Sequence, residues 1–109
     1  MTQNDAPLGA FEEQVLLAVM RTRENAYGMR VRQEIEAVTG RDVAIGAVYS
    51  TLDRLEAKAL VRSGRSSIDG SSRRMFEVAP AGAHALAQTK LMRDRLWRGV
   101  DLKPLLAAY

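Results

Sequence analysis

Arginines and tyrosines at three places in this chain have the types and spacing to grip a polyanion. Arg54 lies in the run Gly46–Lys58, where Tyr49, Ser50, Asp53, Arg54 and Ala57 fall opposite an apolar stripe of Val48, Leu52 and Leu55. A guanidinium on such a face can take guanine O6 and N7 in bidentate fashion or clamp a phosphate. The competing reading is a helical ion pair, yet neither neighbouring acid, Asp53 or Glu56, has i, i+3 or i, i+4 spacing to it. Tyr49 and Ser50 can donate to a phosphate or a base edge, and Tyr49 could equally lay its ring between helices. Tyr27 opens a helix, where its hydroxyl and the first backbone N–H groups suit a phosphate; the alternative place for its ring is the core. Arg65, Arg73 and Arg74 flank the polar stretch Ser66–Ser72. On a strand Arg73 and Arg74 point to opposite sides, so one is expected to face the polyanion and the other to be structural. The serines between them can touch phosphate weakly or simply form a loop.

Other chemistry is poorly supported. There is no phosphate-binding glycine loop, nucleophile elbow or histidine-centred acid–base set. With no cysteine and a single histidine, His84, the chain offers no metal-ligand set. No catalytic residue, cofactor or metal is therefore expected.

These side chains need elements to hold them. Leu8, Phe11, Val15, Ala18 and Val19 recur at helical spacing and define one face of a first helix that fades through Arg21–Asn25. A second helix is expected from Tyr27 or Gly28 to Thr39, with Val31, Ile35 and Val38 as its stripe and Gly40 as a left-handed stop. The third runs from about Gly46 to Lys58, with Ala59 continuing the stripe. Leu60–Arg65 and Arg73–Ala79 read as strands. Asp69-Gly70 is a strong turn signal inside a loop that reads as longer than two residues. Pro80 suits the first position of a long last helix reaching about Val100 or beyond, and Lys103-Pro104 breaks it before an apolar tail. Once three helices close over the hairpin, that last helix has no partner within the chain. Its apolar face predicts a two-fold partner chain. The division is residues 1–79 as the binding domain and residues 80–109 as a dimerisation helix with its tail.

The 109 residues make one domain's worth of chain, and 47% hydrophobic with 27% charged residues is ordinary for a folded protein. The net charge of +3 is unevenly spread. Residues 1–40 hold four basic and six acidic groups, residues 41–74 seven and four, residues 75–109 five and three. The positive excess thus lies in and after the third helix, where counterion release favours a polyanion. No apolar run is long enough for a membrane span and no secretory signal is visible, so a cytoplasmic location is expected.

The blocks LGAFEEQVLLAVMR, AYGMRVRQEIE, TGRDVAIGAVYSTLDRLEAKALV and RRMFEVAPAG together resemble the PadR family of bacterial transcriptional regulators, over roughly residues 8–100. GAVYSTLDRLEAKALV is the most specific of them. The resemblance implies a mainly α (α+β) winged helix-turn-helix fold with a long C-terminal dimerisation helix. It implies a homodimeric repressor of double-stranded DNA, often controlled by a small planar aromatic effector. By position, the helix that contains Gly46–Lys58 would be the recognition helix, with Tyr27, Gly46, Tyr49, Ser50 and Arg54 facing DNA and Arg65, Arg73 and Arg74 on the wing. Trp97, with Met92, Leu96 and Val100, would line an effector cavity at the dimer interface or simply pack there; Phe11 and Val15 are further candidates. Two positions depart from the family: Ala59 stands where it usually has Gly, and Ala79 where it has a capping Thr. The alternative function is a winged helix that binds a protein partner and not DNA.

Overall fold

A computed structural model describes residues 7–68 and 71–107; the Asp69-Gly70 turn signal lies outside them. The chain runs α1 (Ala10–Thr22), a 3₁₀ turn (Arg23–Asn25), α2 (Gly28–Thr39), α3 (Ile45–Ala57), β1 (Val61–Ile68), β2 (Ser71–Val78), α4 (Pro80–Trp97) and α5 (Lys103–Leu106). This is the expected three-helix core with a two-stranded wing and a long helix after it. The first helix begins two residues later than the apolar pattern does. Gly9 is extended there, and its N–H is taken by Glu12 Oε1 at 2.9 Å, which closes the first turn.

The core forms where three helical stripes meet. Val15 and Leu16 from α1, Val31 from α2, and Val48, Leu52 and Leu55 from α3 are all fully buried, as is Val61 at the base of the wing, with Phe76 buried beside it. Val38 departs from its expected role. It lies in the last turn of α2, past the edge of the core, and is 59% exposed beside Leu17 in a surface groove. Gly40 takes the left-handed conformation at φ 70° and donates to Glu36 O, as the sequence suggested.

Ala59 corrects another expectation. It does not extend the α3 stripe: it is exposed, with φ at 63°. Its N–H donates to Glu56 O and that of Leu60 to Leu55 O, both at 2.9 Å. This is a Schellman closure with alanine at the position glycine favours. Ala59→Gly is accordingly expected to raise stability by about 1 kcal/mol, measured as a higher denaturant midpoint with an unchanged slope. A lower midpoint would mean that the backbone carries no strain there.

The strands are longer than the sequence suggested. They pair antiparallel from Val61↔Val78 to Ile68↔Ser71, and therefore run through most of the serine stretch that reads as a loop. Apolar alternation ends at the base of the wing, but the backbone ladder needs no buried face to continue. A third segment joins the sheet: Tyr27 bridges to Met75, and Phe76 N–H donates to Ala26 O at 2.8 Å.

Helix α4 starts at Pro80 without a side-chain cap from Ala79. Its first half packs on the core through Ala85, Leu86 and Thr89. It stops at Trp97, short of Val100, because Gly99 turns the chain at φ 81°. Met92, Leu96, Trp97 and Val100 remain exposed. Among the described residues no helix is long and apolar enough to cross a membrane.

Candidate nucleic-acid interface

Three elements meet around the start of α2. The Tyr27 ring lies beneath the Arg73 guanidinium at 4.2 Å, a cation–π contact that carries a positive charge from the wing to the helix start. One residue on, Gly28 begins α2 with its α-carbon under the phenol of Tyr49. A β-carbon there would fall 2.3 Å from Tyr49 Cζ and 2.4 Å from its hydroxyl oxygen. Tyr49 thus packs on the helix pair, one of its two expected places, while its ring stays 37% exposed. Tyr27 is half-buried and makes no capping bond, and Ala44 before α3 has no side chain to make one. Both helices therefore present first-turn N–H groups without side-chain caps, as phosphate sites do.

The outermost line of α3 is formed by Gly46, Ser50, Asp53 and Ala57, all exposed. No large cation stands on it. Arg54 occupies the flank toward α1 instead, with Nε 3.4 Å from Glu12 Oε2 and Nη2 3.4 Å from Thr51 Oγ1. Helical spacing offers Arg54 no acid. The acid comes from α1, 42 positions away, a partner that no local pattern reveals.

The wing arginines divide as strand alternation requires. Arg74 turns toward α3, where Nη1 donates to Asp53 at 2.9 Å and Nη2 to Glu56 at 2.5 Å, over the Phe76 ring. Ser63, on the paired strand, donates to the other Glu56 oxygen at 2.6 Å. The Ser63 hydroxyl and then Arg74 hold the Glu56 carboxyl below its usual range, and Asp53, followed by Glu56, raises the Arg74 guanidinium against the opposing effect of desolvation. In the free chain Arg74 is therefore a strut between wing and helix, the structural place that strand alternation reserves for one of the two. Arg73 and Arg65 are exposed and have no carboxylate partner within ion-pair distance among the described residues.

Residues 16–88 match the transcriptional regulator PadR-like family. This protein belongs to that family. A PadR-like regulator is not an enzyme; its family acts in transcription. Transcriptional regulator Rv3488 of Mycobacterium tuberculosis is 36% identical over 74 residues, 68% of each chain. A Streptococcus transcriptional regulator superposes with a TM-score of 0.68 at 25% identity, covering 79% of this chain and 83% of that one. A PadR family transcriptional regulator from Eggerthella lenta gives 0.65 at 24% identity, over 84% and 80%, which supports the winged-helix fold.

For the second expected site of this PadR-like regulator, Met92, Leu96, Trp97 and Val100 lie on or just after the distal half of α4, all open. Val15 does not join them. It is fully buried in the three-helix core, so neither a ligand nor a second chain can touch it. Phe11 is half-buried in a shallow groove with Gln14, Val43 and Ala47, and no residue of α4 lines it. The amphipathic pattern of α1 could not separate these fates, because core and surface faces both carry apolar residues.

Proposed function

We propose that this PadR-like regulator binds duplex DNA as a homodimer and represses transcription from an inverted-repeat operator. Tyr27, Gly46, Tyr49, Ser50, Arg54, Arg65 and Arg73 form the contact face on this reading, with α3 in the major groove. Half-sites then lie about one helical turn apart. The observation that carries it is the Arg73–Tyr27 stack, which brings wing and α2 start into one basic face beside α3. Residues 1–79 serve as the DNA-binding domain and residues 80–109 as the dimerisation helix and tail. A cytoplasmic location follows from this role.

The exposed Leu96, Trp97 and Val100 support the dimer, since a bare apolar helix end favours a second copy. Leu96→Lys is expected to give monomers in light scattering and weaker operator binding; an unchanged dimer would remove α4 from the interface. The same surface suits a flat aromatic effector stacked on the indole. Trp97 emission is expected to fall on titration with planar aromatics, and no response from any of them would leave plain interface packing. Salt-dependent binding to the chain's own upstream DNA tests the central proposal, and its absence would favour a protein-binding winged helix.

A further inference from the structure

On the α1 side of α3 two cations converge on one oxygen. Arg54 Nε lies 3.4 Å and Lys58 Nζ 3.1 Å from Glu12 Oε2. The two residues are one helical turn apart, about 6 Å along the axis, and their side chains must lean together to share that atom. Their exposure differs from that of the acid. The side chains of Arg54 and Lys58 are 52% and 49% exposed, that of Glu12 only 13%. Both cations are therefore open from the solvent side while the carboxylate lies behind them.

We propose that Arg54 and Lys58 form a single phosphate clamp for duplex DNA, which Glu12 Oε2 fills in the free chain in place of a phosphate oxygen. The proposal rests on the DNA-binding reading and adds a binding residue, Lys58, and an internal competitor. An incoming phosphate can take both cations without displacing Glu12 from α1, because the other carboxylate oxygen stays on Gly9 N–H at 2.9 Å. Exposed ion pairs are weak and screened by salt, whereas a backbone phosphate adds counterion release. The exchange therefore favours DNA once the chain is docked. Glu12 is ionised and able to compete: burial pushes its carboxyl up, but Gly9 N–H, Lys58 and Arg54 together outweigh that and hold it below the usual range. The next residue, Glu13, is bound to Arg93 of α4 at 2.6 Å. The blocking carboxylate thus sits one residue from an α1–α4 ion pair.

The test is a double-mutant cycle on the full chain, read by anisotropy of a labelled mixed-sequence duplex across a salt series. Glu12→Gln keeps an oxygen for Gly9 N–H and is expected to tighten binding roughly threefold to tenfold, the range of two weak ion pairs. Arg54→Gln/Lys58→Gln should weaken binding and flatten the log–log salt slope by about 0.9, one phosphate contact. In that background Glu12→Gln should bring no gain. A gain that persists there would be a general effect of removing negative charge and would overturn the clamp, as would no gain in the native background. If the native chain shows no salt-dependent binding at all, the DNA-binding reading falls and the clamp with it. Native binding with a flat cycle removes the clamp alone.

Discussion

Gly82→Ala is expected to lower the stability of the chain by about 3 kcal/mol, although alanine is the better helix former. Gly82 lies in the first turn of α4, where a β-carbon would meet Leu60 O at 2.1 Å and Val78 Cγ1 at 2.9 Å. The methyl of Val78 can rotate away; the carbonyl cannot easily do so. Leu60 O accepts the Ala79 N–H at 2.9 Å, and Leu60 follows directly on the left-handed Ala59. To make room, α4 must lift from the end of β2 or that hydrogen bond must break. The helix-propensity gain of about 1 kcal/mol works the other way and does not offset either cost. Gly46→Ala is the matched control, since its β-carbon would meet nothing within 4 Å and should be neutral or mildly stabilising. Chemical denaturation of the two variants measures the difference. Equal midpoints would mean that α4 shifts at no cost.

That contact shows where the sequence stops being legible. Gly82 reads as an ordinary glycine in the first turn of a helix, because its constraint comes from a carbonyl 22 positions earlier in the chain. The same holds for Gly28, whose need for a bare α-carbon is set by Tyr49. Patterns with a local cause were readable: the stripes of α2 and α3, the left-handed stop at Gly40, Pro80 opening α4, and Arg73 and Arg74 on opposite sides of a strand. Burial at the ends of elements was not. Val38 keeps the helical period in the last turn of α2 but lies beyond the core; in mid-helix the same period does not separate a core place for Val15 from an interface one. The charged partners were hidden for the same reason. Arg54–Glu12 and Arg74–Asp53 join separate elements, and spacing rules for one helix see neither. Which arginine is bound and which is open is a tertiary fact, and it decides the composition of the contact face.

Arg74→Met and Arg73→Met are expected to weaken duplex binding by similar amounts, about tenfold, for opposite reasons. Methionine keeps an unbranched stem in each case, over Phe76 for Arg74 and over Tyr27 for Arg73. Arg73 is open and stacked at 4.2 Å on Tyr27, so its loss should remove a phosphate contact and flatten the salt slope by about 0.9. Arg74 touches no phosphate on this reading. Its loss frees Asp53 and Glu56 on the face that meets DNA and unlinks wing from helix. Affinity should then fall at every salt concentration with the slope unchanged. The strut also has a pH signature. Glu56 has its carboxyl held below the ordinary 4.5 by Ser63 first and Arg74 second. A depressed carboxyl stabilises the fold fully above its unfolded value, and that contribution is lost as pH falls through the lower folded value. The native chain should therefore lose wing rigidity, seen as faster amide exchange in β1 and β2, only below about pH 4.5. Arg74→Met should show that faster exchange already at neutral pH, and Arg73→Met should not. If the slopes exchange places, so that Arg74→Met flattens the salt dependence and Arg73→Met leaves it intact, Arg74 leaves the acids of α3 for DNA in the complex and the assignment of the two arginines is reversed.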